Sequence, residues 1–242
     1  MGEYRGGRQR RERWYVTVES ATAVGEEECM ATVLPPPDQR VVLRNVSWET
    51  YEGLLAGHQD SSAPRFTYDR GTLEIISPLP EHEGVNRALA SLVENVAVEW
   101  RMSFRNLGST TFKRDDLGCG FEPDSCFYLR NAERMRGNAR IDLTVDPPPD
   151  LVIEIDITHP SLDKLPIYAA LGVPEVWRYK DDRLAIWVLE GGAYEEREES
   201  LALQRVSAAA LSELLRESQE MDPPDWILQV RDWARSLRSP GS

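Results

Sequence analysis

The most regular patterning in the chain lies at residues 81–100, where Val85, Leu89, Leu92, Val93, Val96 and Trp100 recur at spacings of three and four. That spacing lines the apolar side chains along one stripe of a helix, which predicts an element with one face on a core and the other in water. Residues 151–157, LVIEIDI, read differently. A short β-branched run of this kind is typical of a strand buried on both faces, and two acids, Glu154 and Asp156, interrupt it. Residues 65–78, RFTYDRGTLEIISP, place two β-type runs about a turn at 69–71 and predict a hairpin.

Shorter β segments are expected at 103–107, 109–113 and 125–129, separated by Gly, Asp and Asn clusters. A second hairpin is expected from 175–179 and 184–189, with further β segments near Tyr194 and Leu201. Ser47 is a candidate N-cap for a short helix through Leu55, and Ser207 for one through about Gln219. Asp163 or Ser161 can start a helix running to Leu171, because Pro166 then falls in the first turn, where its missing N–H costs little. Gly172 and Pro174 end it. A last helix is expected over 226–237. Strands interleaved with a few helices predict an α/β fold with a mixed central sheet flanked by helices. Residues 1–40 carry an Arg-rich start, an acidic run at 26–28, three prolines at 35–37 and one strand-like piece at 14–18. They are read as a partly disordered extension, and 41–240 as the domain.

Composition narrows the class. With 41% hydrophobic and 29% charged residues, the sequence is that of an ordinary globular protein. No apolar run reaches the roughly 18 residues of a membrane span, and no signal peptide follows the basic start, so a cytoplasmic protein is expected. Cys29, Cys119 and Cys126 offer no pair at two-residue spacing, which points to neither a disulfide framework nor a thiolate zinc site. The net charge of −13 argues against a broad nucleic-acid-gripping surface. Any such surface must be local, and residues 101–140 hold eight Lys and Arg against five Asp and Glu. Within them, Arg130, Arg134, Arg136 and Arg140 are candidate phosphate contacts; a solvated surface of uneven charge reads the same way.

The candidate chemistry rests on carboxylates placed where a strand should be apolar. Asp124 stands at the mouth of one strand, in FEPDSCFYL, and Glu154 with Asp156 inside another. Glu154 and Asp156 are two apart and therefore share a face. Burying an unpaired carboxylate costs several kcal/mol, roughly, so such acids need an arginine, a hydrogen-bond network or a metal beside them. A hard ion such as Mg²⁺, bound through one or two carboxylates plus water and a phosphate oxygen, would meet that need. The other readings are a turn-forming Asp124, and ion pairs from Glu154 and Asp156 to arginines on a neighbouring strand. His82 and Glu83 suit the first turn of the long helix, where an acid is favourable. Tyr168 and Trp177 suit core packing. His159 reads as a polar loop residue. No phosphate-binding Gly-rich loop, Gly-x-Ser-x-Gly or His-Glu-x-x-His is present, so nucleophilic serine or cysteine schemes lack support.

The acid at a strand start followed by an acidic strand resembles the PD-(D/E)xK nuclease superfamily. More closely, the chain resembles the Uma2 (DUF820) family of restriction-endonuclease-like proteins. The matching pieces are RFTYDRGTLEIISP, PEHE at 80–83, EPD at 122–124, PDLVIEIDI and KLPIYAALGVPEVWRY at 164–179. Together they span roughly residues 45–235. The resemblance implies a restriction-endonuclease-like core and a metal-dependent endonuclease acting on nucleic acid, DNA foremost, with Mg²⁺ or Mn²⁺. It implies Asp124 and Glu154 as metal ligands, Glu83 as a further acid of the metal shell, and His82 and Asp156 as supporting groups. Asp156 stands where the superfamily carries lysine, and Lys164 on the following helix takes that place. A homodimer, which sets two sites across a duplex, is common among such nucleases. The competing expectation is a catalytically silent binding or assembly module on the same fold, favoured by the acidic total and by Asp156.

Overall fold

The computed structural model describes residues 39–58, 63–138, 140–156 and 162–238. Most of the extension expected over 1–40 lies outside them, as do Ser161 and His159. Among the described residues, eleven strands and five helices follow in order: β1 Gln39–Leu43, α1 Trp48–Gly57, β2 Arg65–Asp69, β3 Thr72–Ser77, α2 Pro80–Glu99, β4 Arg105–Asn106, β5 Phe112–Arg114, β6 Cys119–Phe121. Then come β7 Ser125–Tyr128, β8 Leu151–Asp156, α3 Leu165–Ala170, β9 Glu175–Lys180, β10 Arg183–Glu190, β11 Ala193–Arg197, α4 Ala208–Glu217 and α5 Pro223–Leu237.

The α/β class is as the patterning predicts, but the strands divide into two sheets. One runs β11-β10-β9-β8-β7-β4 and is mixed, since β8 pairs parallel to β9 and antiparallel to β7. The other, β1-β3-β2-β6-β5, is wholly antiparallel. Gln39 and Arg40, assigned above to the extension, open β1. β6 was not expected, and Leu201 lies in a bend and not in a strand. Both hairpins form. In the first, Arg70 and Gly71 both take positive φ (42° and 90°), the paired left-handed geometry that matches strand twist in a two-residue turn.

The helices end and begin largely where their caps predict. Ser47 and Ser207 accept from the N–H groups of Thr50 and Ala210. At α3 the N-cap position falls to Lys164, while Asp163 Oδ1 still accepts from the Leu165 N–H at 3.2 Å. α2 begins at Pro80 and α5 at Pro223, each with proline in the first turn.

What positions the acids is the alternation along β7 and β8. Leu151, Ile153 and Ile155 face a core built from Leu89, Leu92, Val93 and Val96 of α2 together with α4 and α5. Val152 faces the other way, into a second core with Cys126, Tyr168 and Val176. Glu154 and Asp156 follow Val152 at even spacing, and Asp124 precedes Cys126 by two. All three acids therefore lie on the side of the mixed sheet away from α2's apolar stripe.

Candidate active site

The register of β7 on β8 pairs Ser125 with Ile153 and Cys126 with Val152. Continued by one residue, it sets Asp124 directly across from Glu154, the arrangement that brings two Cβ atoms to about 5 Å. The Ile155 N–H donates to Asp124 Oδ2 at 2.6 Å, tying the Asp124 carboxylate to β8. Both acids are buried, at 6% and 4% exposure, so each must have a compensating partner.

Asp124 is held from two further sides. Arg65, the first residue of β2, donates from Nη1 to Asp124 Oδ1 and from Nη2 to Glu83 Oε1, bridging a strand acid and a helix acid. From the first turn of α2, His82 Nε2 lies 3.4 Å from Asp124 Oδ2, and one turn on, Asn86 donates to the Asp124 carbonyl at 3.0 Å. The buried His82 Nδ1, Arg65 Nε and Asn86 Oδ1 have no hydrogen-bond partner among the described residues.

Glu154 faces α3. Lys164 Nζ donates to its Oε2 at 2.6 Å, and the Tyr168 hydroxyl, one turn further, donates to Oε1. Burial pushes the Glu154 carboxyl up, an effect that the Lys164 ammonium opposes and the neighbouring Asp124 charge reinforces. Burial also works against the Lys164 ammonium, but Glu154, Asp124 and Asp156 outweigh it and raise its pKa. Lys164 is thus a cation surrounded by three acids. Tyr168 is raised well above the ordinary phenol value, first by burial, and stays a neutral donor. Asp156 pairs with Arg178 on β9, which is the neighbouring-strand ion pair that the sequence left open for it.

The structure therefore brings Asp124, Glu154, Lys164, Glu83, His82 and Asp156 to one region, each from the element expected to carry it. A cavity of about 20 Å³ is lined by Arg65, His82, Asp124, Asp156 and Lys164 among others. A second of the same volume lies against Glu154, Tyr168 and Arg178. Each has room for one water-sized occupant. The four arginines expected to meet phosphate do not join this cluster. Arg130 donates to the Leu201 carbonyl, Arg134 to the Val145 carbonyl, Arg136 pairs with Glu133, and Arg140 lines a separate cleft.

Arg65 and Tyr168 escaped the sequence reading. An arginine opening the apolar run RFTY was a signal that acids wait inside, because a buried guanidinium requires them. Tyr168 was assigned to packing, which is right for its ring, at 4.5 Å from Phe121 edge-on, and silent about its hydroxyl.

The donor set suits a hard divalent cation: buried carboxylates facing each other across adjacent strands, a small polar cavity, and cationic side chains already drawn into the acids. No cluster of three acid, histidine or cysteine ligands in ready-made metal geometry occurs among the described residues. Lys164 and Arg65 occupy the acids' oxygens, and an incoming ion would displace one of them.

A family model described as "Uma2: Putative restriction endonuclease" matches residues 48–223. Among solved structures, the chain is similar to "a putative nuclease belonging to DUF820" from Anabaena variabilis ATCC 29413. That match has 16% identity and a TM-score of 0.46, and covers 64% of this chain and 93% of that one. No curated protein matches.

Proposed function

The chain belongs to the Uma2 family of restriction-endonuclease-like proteins, and from that premise we propose that it hydrolyses phosphodiester bonds of DNA with Mg²⁺ or Mn²⁺ held by Asp124 and Glu154. The observation that carries the reading is the placement of these two buried acids opposite one another, with the Lys164 ammonium at Glu154 and the charges of all three felt by each other. When bound, the ion supplies a water acidified enough to attack phosphorus and a positive charge for the phosphate oxygens.

The remaining work falls to the chain. Asp124, fixed by the Ile155 N–H, and Glu154, fixed by Tyr168, present oxygens whose directions are set before any ligand arrives. Lys164, released from Glu154, orients the attacking water and faces the charge that builds on the phosphate. Arg65 holds Asp124 and Glu83 in register, and His82 Nε2 stands beside Asp124 Oδ2 as a supporting group. Arg178 keeps Asp156 occupied, so that acid supports the site from its edge. In this reading residues 41–240 form the nuclease domain, with Arg130, Arg134, Arg136 and Arg140 as outlying backbone contacts. It places the protein in the cytoplasm, in keeping with the free thiols Cys119 and Cys126, and allows two copies to meet across a duplex. No described helix is long and apolar enough to cross a membrane.

Calorimetric titration with Mg²⁺ and Mn²⁺, run beside a supercoiled-plasmid nicking assay, tests the proposal on wild type, Asp124→Ala and Glu154→Gln. Metal binding and nicking that both disappear in the variants support it. A second reading, a silent binding module on the same fold, draws on the ion pairs that already engage Asp124, Glu154 and Asp156. Wild type that neither binds metal nor nicks DNA selects that reading instead.

A further inference from the structure

β2 serves two places by alternation. Arg65 and Thr67 line the small cavity beside Asp124, whereas Phe66, between them, lines a much larger cleft on the opposite face of the strand. The cleft has a volume of about 660 Å³, inside the range of roughly 300–1,000 Å³ typical of small-molecule sites.

Three cations converge on it, Arg105, Lys113 and Arg140, in a chain that carries −13 overall. Among the described residues, Arg105 side-chain nitrogens donate only to the carbonyls of Met135 and Asn138, so no described acid neutralises it. Arg140 is exposed and has no ion pair among the described residues. Lys113 pairs with Glu52 at 2.5 Å, but both are exposed, and such a pair is readily exchanged for another anion. The one acid in the lining among the described residues, Glu122, is already engaged, accepting from Thr111 Oγ1 and from the Phe66 N–H. Burial raises its carboxyl.

The rest of the lining is of two kinds. Leu55, Pro64, Leu107 and Ile141 offer apolar wall, while Ser109 and Asn138 offer hydroxyl and amide groups. Cations for a phosphate, hydrogen-bonding groups for a sugar and apolar wall for a base together suit one ligand class. We propose that this cleft binds a nucleotide unit, either free or as part of a single strand, at a place separate from the acids. The proposal does not depend on metal at Asp124 and Glu154.

The test uses fluorescence anisotropy of a labelled ten-nucleotide thymidine strand in EDTA, with AMP and inorganic phosphate as competitors. The pair Lys113→Ala with Arg140→Ala should weaken strand binding by about tenfold or more. It should also make the salt dependence shallower by about 1.4 in log–log slope, the share of two single-strand phosphate contacts. The charge-matched pair Arg44→Ala with Arg87→Ala, exposed elsewhere, should change affinity less than twofold. Ser109→Leu, which narrows the cleft, leaves its charge intact and adds no stacking ring, should also weaken binding. AMP that displaces the strand assigns the cleft to free nucleotides, and AMP that does not assigns it to a strand; both sustain the proposal. No binding by wild type, equal losses in both double variants, or phosphate competing as well as AMP would overturn it. Strand binding is read in EDTA and nicking in the presence of metal, so failure here and failure of the nuclease reading are separate results.

Discussion

Arg65 shares its guanidinium between Asp124 and Glu83 while being only 8% exposed itself. Arg65→Met keeps much of the bulk and strands both acids, at a cost of about 3–5 kcal/mol, the range for breaking a buried ion pair from one side. Urea denaturation in metal-free buffer reads that loss, and Mn²⁺ should restore part of it by replacing the missing charge. A variant as stable as wild type would mean that the pair contributes nothing. Glu175 offers a pH test away from the site. It is fully buried, accepting from Trp177 Nε1 at 2.5 Å and the Ala202 N–H at 2.6 Å, and burial raises its carboxyl. The folded state therefore holds this proton at pH values where the unfolded chain has released it. Its stabilisation is complete below the unfolded value, about 4.3, and is lost as pH rises through the folded one. Wild-type stability should thus fall relative to Glu175→Gln as pH rises from 4.5 toward neutrality. Parallel curves from chemical denaturation at several pH values would remove Glu175 as the cause.

At the scale of elements, α1 packs on the antiparallel sheet through Tyr51 against Phe66, Tyr68 and Leu73, and Gly120 of β6 lies beside the Tyr51 hydroxyl. A Cβ added at Gly120 would stand 2.5 Å from Tyr51 Oη and 3.1 Å from the Phe112 carbonyl. Tyr51 has nowhere to go, since it is fully buried and stacked on Tyr68 at 4.8 Å. Gly120→Ala should therefore destabilise by about 1–3 kcal/mol through overpacking, measured as a lower denaturation midpoint with an unchanged slope. An unaltered midpoint would show that α1 can lift from the sheet without loss. The same reasoning explains why α2 reaches the site at all. Its apolar stripe docks on β8, which carries His82, Glu83 and Asn86 of its first two turns over Asp124.

For the whole molecule, an ion that binds the folded chain alone must raise its thermal stability by mass action. At one hundred times the dissociation constant the gain is about 2.7 kcal/mol, which for a domain of this size is about 5–10 °C in Tm. Scanning fluorimetry with Mn²⁺ should show that rise in wild type and none in Asp124→Ala. A rise of equal size in both would place the ion elsewhere.

Periodicity alone determined the long helix, both hairpins, the doubly buried strand and the presence of acids within it, because these are local consequences of side-chain spacing and turn chemistry. Acids in strand positions within EPD and PDLVIEIDI singled out Asp124 and Glu154, and the resemblance, through KLPIYAALGVPEVWRY, implied Lys164. Only the tertiary structure decided that the strands split into two sheets, since local pattern does not say which strands pair, and β6 is too short for it to reveal and is held by pairing with distant β2. It alone put Arg65 between Asp124 and Glu83, turned the Tyr168 hydroxyl onto Glu154, and left Arg140 in a cleft apart from the other arginines. Those contacts join residues 14 to 59 positions apart. Burial forces charges to find partners, but chain pattern does not say which, and that choice belongs to the packed molecule.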